Sequence, residues 1–282
     1  MGDEGAASVR VSDAIRDAAR RLTQASDTPR LDAEWLMAHA LGSSRSDLLL
    51  RHMQDAAPTG FAELVVRRQR REPVAYILGQ QDFLGRSFAV SPAVLIPRSD
   101  SESVVLAALA AAPDARRVLD LGTGSGALLL SLLAELPAAR GCGVDRSGDA
   151  LAIARRNAEV LGLADRIEFV RADWSEPGWH DGLGRFDLVI ANPPYVETDA
   201  ALAADVRDFE PAGALFAGAD GLDDYRILIP CLPGLLAQGA TAVLEIGAQQ
   251  AKAVARLGEE AGFTATVRPD LAGRDRAVIL TP

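Results

Sequence analysis

The spacing of apolar residues changes along this chain, and each pattern predicts a different kind of structure. Up to about residue 75 the spacing is helical. One face of a first helix is formed by the residues Val11, Ile15, Ala18, Ala19 and Leu22. A second helix is predicted over residues 31–41 with Gly42 as its cap, and Pro58 opens a later helix that runs to about Arg71. These elements predict a small helical domain over residues 1–78.

From Gln80 to Pro97 apolar and polar residues alternate, and Leu84-Gly85-Arg86 interrupts the alternation as a turn would, so we expect a β-hairpin linker over residues 79–98. Beyond it, short apolar runs alternate with helical stretches. The predicted strands are 117–121, 141–144, 167–171, 186–191, 241–246, 264–268 and 277–281, with helices near 100–112, 126–136, 149–161, 222–237 and 249–261. This alternation predicts an α/β fold over residues 99–282, with a mostly parallel sheet covered on both faces.

Composition narrows the classes of protein. The chain has no run of about 18 apolar residues, and its start carries Asp3 and Glu4, which predicts a cytoplasmic protein without a membrane span or secretory signal. The two cysteines and three histidines lack ligand spacing, so no metal site is expected. The first 90 residues carry 12 acidic and 12 basic side chains, and the net charge of −10 therefore belongs to the remainder. Such an acidic part disfavours nucleic acid as a partner.

Four arginines between residues 67 and 71 form a local basic cluster in the helical domain. We interpret this cluster as a solvated helix face, with a contact to nucleic acid or to a protein partner as the alternative.

A glycine-rich turn follows the first predicted strand of the α/β domain. Its residues are Gly122, Thr123, Gly124, Ser125 and Gly126. Small residues let the backbone approach a ligand closely, and the helix that follows begins with unpaired N–H groups. The turn also satisfies the dinucleotide fingerprint G-x-G-x-x-A, so a nicotinamide cofactor and S-adenosylmethionine are both compatible with it.

Acidic residues follow the next two predicted strands. Asp145 ends the second strand, where its carboxylate can accept hydrogen bonds from both hydroxyls of a ribose. Asp173 and Trp174 follow the third strand, where the carboxylate can accept from the amine of adenine and the indole ring can cover the base. These residues predict an adenosine-containing ligand without choosing between the two cofactors.

The residues Asn192-Pro193-Pro194-Tyr195 stand directly after an apolar strand and indicate the chemistry. Ligands of open α/β sheets bind beyond the carboxyl ends of the strands, so this tetrapeptide should lie beside the glycine turn. A planar amide or amino nitrogen is a poor nucleophile because its lone pair is delocalised. The Asn192 side chain and the Pro193 backbone offer carbonyl acceptors for its two N–H bonds, while Tyr195 can stack on the planar group. Because prolines hold that backbone rigid, we predict methyl transfer by positioning, with no general base.

These motifs together resemble the release factor glutamine methyltransferase family over nearly the whole chain. They are Glu-Pro-Val-Ala-Tyr-Ile-Leu-Gly at 72–79, Leu-Ile-Pro-Arg at 95–98, the glycine turn, Asn-Pro-Pro-Tyr at 192–195, Phe-Glu-Pro at 209–211, Gly-Leu at 221–222, Glu-Ile-Gly at 245–247 and Asp-Leu-Ala-Gly-Arg-Asp-Arg at 270–276. One departure is visible, since Ser99 follows Arg98 where the family usually has proline.

The resemblance implies a helical substrate-recognition domain, a hairpin linker and a class I methyltransferase domain with a seven-stranded, Rossmann-like sheet. It implies methyl transfer from S-adenosyl-L-methionine to the glutamine of the Gly-Gly-Gln motif in class 1 peptide-chain release factors. By matched position, the cofactor would contact the glycine turn, Asp145, Trp174 and Asn192. The tetrapeptide from Asn192 to Tyr195 would bind the glutamine. We expect a monomer that contacts neither nucleic acid nor membrane.

Three other functions compete with this one. An adenine exocyclic-amine methyltransferase uses the same tetrapeptide chemistry, but the acidic catalytic part and the lack of a basic recognition domain disfavour it. A nicotinamide oxidoreductase fits the glycine turn and leaves the tetrapeptide unexplained. A scaffold that binds cofactor without catalysis is disfavoured because the tetrapeptide is intact.

Overall fold

The computed structural model describes residues 9–282, which form two compact bodies. The first body contains the chain up to Gly79 together with Ala203–Phe209, and the second contains Gln80–Leu202 and Glu210–Pro282. Residues 1–8, where the sequence predicts no secretory signal, lie outside the described residues. Within residues 9–282, no helix has both the length and the apolar character that a membrane crossing requires.

The first body is helical, as the apolar spacing predicts. Its main helices are α1 (Val11–Leu22), α2 (Pro29–Leu41), α3 (Arg45–Asp47), α4 (Phe61–Gln69) and α5 (Val74–Leu78). The residues Val11, Ile15, Ala18 and Leu22 of α1 are buried, which confirms the predicted apolar face. Helix α2 begins at Pro29, where the missing N–H of proline costs nothing, and ends at Gly42 with a φ of 62°.

One member of the arginine cluster is buried, so the interpretation of the cluster as a solvated helix face is wrong for Arg68. Its Nε atom donates to Asp32 Oδ2 at 2.7 Å, and its Nη1 atom donates to the backbone carbonyl of Glu72 at 3.2 Å. A buried guanidinium needs such partners because its charge has lost its water. The neighbouring Arg70 and Arg71 are exposed, as expected.

The predicted hairpin is present but shorter than the sequence alternation suggests. It consists of antiparallel strands β1 (Gln80–Phe83) and β2 (Arg86–Ala89), joined at Leu84-Gly85 with positive φ angles of 47° and 71°. Beyond β2, residues 90–98 form no strand, so the expected continuation to Pro97 is wrong. Pro92 lacks the N–H that a ladder needs, and the alternation there reflects burial of side chains rather than strand pairing.

The second body contains the predicted α/β sheet. Its strands are β3 (Arg117–Leu121), β4 (Arg140–Asp145), β5 (Ile167–Arg171), β6 (Phe186–Ala191), β7 (Leu236–Glu245), β8 (Thr264–Pro269) and β9 (Asp275–Thr281). They lie in the order β5-β4-β3-β6-β7-β9-β8, and all neighbours are parallel except those of β9. The seven-stranded, mostly parallel sheet is therefore confirmed.

Helices cover both faces of this sheet. They are α6 (Glu102–Ala111), α7 (Ala127–Glu135), α8 (Gly148–Val160), α10 (Asp223–Leu235) and α11 (Ala251–Glu260), while α9 (Ala204–Phe209) belongs to the first body. Helices α6, α7 and α8 share one apolar core with Phe83 and Phe88 of the hairpin. Helices α10 and α11 pack in a second core on the opposite face. Because β3 to β7 are parallel, their carboxyl ends lie at one edge of the sheet, between the two layers of helices.

Candidate active site

The glycine turn after β3 has a backbone that only glycine adopts readily. Gly122, Gly124 and Gly126 have φ angles of 76°, 55° and 81°, in the left-handed region. At Gly122 a side chain would also be crowded, because a Cβ atom would lie 3.1 Å from Cη2 of Trp174. Helix α7 begins at Ala127, so the first N–H groups of the helix have no partner within it. Such a turn can bind a polar or anionic group through its backbone.

A cavity opens beside this turn at the carboxyl edge of the sheet. Its lining includes the predicted site residues Gly122, Thr123, Gly124, Ser125, Asp145, Asp173, Trp174, Asn192 and Pro194. The other predicted site residues, which the described chain also contains, are Gly126, Pro193 and Tyr195, and they lie outside this lining. The topology explains why the residues after β3 and those after β6 line one cavity. The two strands are neighbours, and the connections that follow them leave on opposite sides of the sheet.

Asp145 connects the glycine turn to the start of α8. Its Oδ2 atom accepts from the Gly124 N–H and its Oδ1 atom accepts from the Ser147 N–H, both at 2.9 Å. A carboxylate has about four lone-pair sites, so each oxygen can accept one further hydrogen bond. The side chain is thus held in one orientation and still offers acceptors at the cavity.

Trp174 forms a wall of the cavity and is held at both ends. Its ring contacts Gly122, and its Nε1–H donates to Asp224 Oδ1 at 2.6 Å. Burial raises the pKa of Asp224 despite this hydrogen bond. Asp173 is also fixed, since its Oδ1 accepts from the backbone N–H and the hydroxyl of Ser175, which lowers its pKa. The two residues therefore present a fixed aromatic face beside a carboxylate.

The tetrapeptide after β6 divides between the cavity and the interior. Pro193 and Pro194 are buried, whereas Asn192 and Tyr195 are half-buried. Among the described residues, none donates a hydrogen bond to the Asn192 side chain or accepts one from it. The Tyr195 hydroxyl lies 3.4 Å from Oε1 of Glu245, and burial, followed by the charge of Glu245, raises the pKa of Tyr195. The Asn192 amide is thus available to a ligand, while the tyrosine hydroxyl is engaged inside the fold.

Two further parts of the cavity wall were not predicted as site residues. The first is Arg98, whose guanidinium pairs with the buried carboxylate of Glu210, and Glu210 also accepts from the Ile96 N–H at 3.3 Å. The second is Arg146, whose Nη2 donates to the backbone carbonyl of Gly213 at 2.9 Å. The Leu-Ile-Pro-Arg and Phe-Glu-Pro motifs carry a signal for the first contact. No local pattern marks the second, because its partners are 67 residues apart.

The class of fold is shared with known methyltransferases. A solved methyltransferase from Pyrococcus furiosus is similar to this chain with a TM-score of 0.54 at 16% identity, covering 70% of this chain and 89% of that one. The second body, with its seven-stranded sheet and reversed β9, is a class I methyltransferase fold.

The chain belongs to the release factor glutamine methyltransferase family. A release factor glutamine methyltransferase from Cereibacter sphaeroides is 44% identical over 278 residues, covering 96% of this chain and 98% of the relative. Another, from Geobacter sulfurreducens, is 43% identical over 242 residues, covering 84% of each chain. Family models agree, since the PrmC N-terminal domain matches residues 13–79 and the methyltransferase small domain matches residues 97–213.

Proposed function

We propose that this protein methylates the side-chain amide nitrogen of the glutamine in the Gly-Gly-Gln motif of class 1 peptide-chain release factors, with S-adenosyl-L-methionine as the methyl donor. One observation carries the proposal. In a chain of this family, Asn192 and the glycine turn line the same cavity. The alternatives of an oxidoreductase or an adenine methyltransferase gain no support from the family to which the chain belongs.

The cavity fits the proposed cofactor. Asp145 retains one acceptor site on each carboxylate oxygen, which suits the two hydroxyls of a ribose. Trp174 supplies a fixed ring for the adenine, and Asp173 a carboxylate beside it. The glycine turn, together with Asn192, would hold the remaining part of the molecule. When bound, S-adenosyl-L-methionine supplies an electrophilic methyl group on its sulfonium.

The protein's own contribution is to position and polarise the glutamine amide. The Asn192 side-chain carbonyl and the Pro193 backbone carbonyl accept its two N–H bonds, which draws the nitrogen out of conjugation. Pro193 and Pro194 fix two φ angles, so less backbone freedom remains to be lost when the substrate binds. The Tyr195 hydroxyl lies 3.4 Å from Oε1 of Glu245, which helps to hold the end of the tetrapeptide. One N–H proton leaves the methylated nitrogen to water, and no general base is needed.

The helical body is the proposed recognition domain. Residues 1–78 would bind the release factor, residues 79–98 would connect the two domains, and residues 99–282 would catalyse the methyl transfer. The match of a separate family model to residues 13–79 supports this division. The exposure of Trp35, at 39%, also supports it, because tryptophan is enriched at protein contacts.

The test is single-turnover methylation of a purified release factor at saturating cofactor. We expect Asn192→Ala to lower the rate by about 10²–10³-fold, the usual effect of losing a positioned polar group at a transition state. Asn192→Asp keeps the size of the side chain, and its added charge can pair with the sulfonium, so we expect cofactor binding with little transfer. A release factor in which the Gly-Gly-Gln glutamine is replaced should accept no methyl group. A wild-type rate in Asn192→Ala would contradict the mechanism, and methylation of the substituted release factor would contradict the substrate.

A further inference from the structure

A single side-chain amide, that of Gln250, joins three loops behind the tetrapeptide. Gln250 is half-buried and immediately precedes α11. Its Oε1 atom accepts from the Gly247 N–H at 3.0 Å. Its Nε2 atom donates to the backbone carbonyl of Tyr195 at 3.0 Å and to that of Gly221 at 3.1 Å. Both N–H bonds of the amide are therefore used, and they hold the loops after β6 and β7 against the loop before α10.

The backbone at Gly221 and Gly247 packs closely around the Gln250 amide. Gly221 has a φ of 68°, and a Cβ atom there would lie 2.3 Å from the Tyr195 carbonyl oxygen and 2.7 Å from Nε2 of Gln250. A Cβ atom at Gly247 would lie 3.0 Å from Oε1 of Gln250. These contacts explain the glycines of the Gly-Leu and Glu-Ile-Gly motifs, to which the cofactor cavity assigns no role.

The Tyr195 carbonyl is the last group of the tetrapeptide, so a hydrogen bond to it restrains the end opposite to Asn192. At its start, Asn192 follows directly from β6 and is fixed by the sheet. Between these ends, Pro193 and Pro194 have fixed φ angles, so the ψ angles provide most of the remaining freedom. Anchoring the Tyr195 carbonyl removes part of that freedom and so restricts the direction of the Pro193 carbonyl. The next residue, Val196, exchanges backbone hydrogen bonds with the segment 215–217, which holds the chain independently of Gln250.

We infer that Gln250 is a positioning residue for methyl transfer, acting through the Tyr195 carbonyl on the amide acceptors of the tetrapeptide. This inference rests on the proposed function and adds to it a residue outside the cavity. Because Val196 keeps its own backbone partners, loss of the Gln250 amide should leave the fold intact. The planar peptide between Tyr195 and Val196 would then be held on its N–H edge alone, so it can tilt and misalign the acceptors. Misplacement of a reacting group by about 1 Å can cost about 10²-fold in rate.

The test compares Gln250→Met with Gln249→Met, a matched control at the exposed neighbouring glutamine. We expect Gln250→Met to lower the single-turnover rate on a saturating release factor by about 10- to 100-fold. The dissociation constants of S-adenosyl-L-methionine and of the release factor should stay within about twofold of wild type, and Gln249→Met should match wild type throughout. An unchanged rate in Gln250→Met would overturn the inference, and so would a loss of cofactor binding as large as the loss of rate.

Gln250→Glu supplies a readout that a merely structural role would not change. A carboxylate has no donor for the Tyr195 and Gly221 carbonyls, whereas a protonated carboxyl group has one. An ordinary glutamate has a pKa of about 4.3, so the side chain of Gln250→Glu is ionised throughout pH 6–8. The rate of Gln250→Glu should therefore fall at least as far as that of Gln250→Met, although glutamate keeps the shape of glutamine. A rate in Gln250→Glu near that of wild type would overturn the inference.

Amide hydrogen exchange separates a failure of this inference from a failure of the proposed function. In Gln250→Met, exchange should increase in peptides that span residues 192–197 and 218–222, and it should be unchanged in Gln249→Met. If wild type methylates no release factor, the proposed function fails, and exchange still decides whether Gln250 fixes the tetrapeptide. Unchanged exchange in Gln250→Met would overturn the positioning role of Gln250, whatever the substrate is.

Discussion

The Glu245 carboxyl group is a source of instability that a single substitution can remove. It ends β7, is 1% exposed, and contacts the Tyr195 hydroxyl at 3.4 Å through Oε1. Burial raises its pKa from the ordinary 4.5 to about 7, although the Ser101 hydroxyl and the Arg276 guanidinium favour the ionised form. Glu245→Gln replaces the carboxyl group with a neutral amide of the same shape and leaves an acceptor for Tyr195.

The sign and size of the effect follow from the two pKa values. Below pH 4.5 the carboxyl group is protonated in the folded and unfolded chains and contributes no pH dependence. As the pH rises from 4.5 to 7, the unfolded chain ionises while the folded chain keeps its proton, so the free energy of unfolding falls. Above pH 7 the carboxyl group is ionised in the folded and the unfolded chain, and the loss of unfolding free energy no longer changes with pH. Each pKa unit is worth 1.36 kcal/mol, so Glu245 destabilises the wild type by about 3 kcal/mol at pH 8.

The assay is urea unfolding of wild type and Glu245→Gln at several pH values. We restrict it to pH 5.5–8, because a protein whose net charge is −10 loses that charge, and with it solubility, at lower pH. Over this interval the stability of Glu245→Gln relative to wild type should rise by about 2 kcal/mol. Glu259→Gln, at an exposed glutamate of α11, should show no such trend. A difference between Glu245→Gln and wild type that is independent of pH would refute the reasoning.

Two further predictions concern the cofactor site and the helical body. Asp145→Ala removes two hydroxyl acceptors worth about 0.5–1.5 kcal/mol each, so calorimetry should show about tenfold or greater weakening of S-adenosyl-L-methionine binding in a folded protein, and unchanged affinity would refute the assignment. A fragment beginning at Gln80, which keeps Phe83 and Phe88 in their core, should bind the cofactor but methylate release factor poorly. A full rate from that fragment would mean that the helical body does not recognise the substrate.

The central strands of the sheet were predictable because of their burial. Strands β3 and β6 have the bounds that the sequence predicts, since strands covered on both faces are continuous apolar runs. The edge strand β5 also has the predicted bounds, although none of its residues is buried. Helix α9 was not predicted, because its six residues include no buried one and show no apolar periodicity. The hairpin was extended too far because Val90, Val94 and Ile96 are buried without pairing in a ladder. Apolar spacing reports burial, and it reports strand pairing only indirectly.

The candidate site was predictable where topology alone brings residues together. The connections after β3 and β6 must meet, because the two strands are parallel neighbours. The contacts that hold the site could not be predicted in the same way. Trp174 donates to a carboxylate 50 residues away, and Gln250 reaches the Tyr195 carbonyl over 55 residues. A side-chain hydrogen bond at such a separation has no periodic signature, so the motifs identified the loops but not the residues that position them.

Two buried carboxyl groups lie in the strands on either side of β6, the strand that Asn192 follows, and their placement bears on the mechanism. Asp120 in β3 accepts from the Thr123 hydroxyl of the glycine turn at 2.7 Å, and Glu245 at the end of β7 contacts Tyr195. Burial raises the pKa of each to about 7, so each makes the folded chain less stable at neutral pH than an amide would. Asp120 is 0% exposed and Glu245 is 1% exposed, so neither carboxyl group is open to a bound amide. Their contribution is therefore to the geometry of the two loops, at a cost in stability, and a change of rate near pH 7 would reflect a movement of these loops rather than the titration of a base.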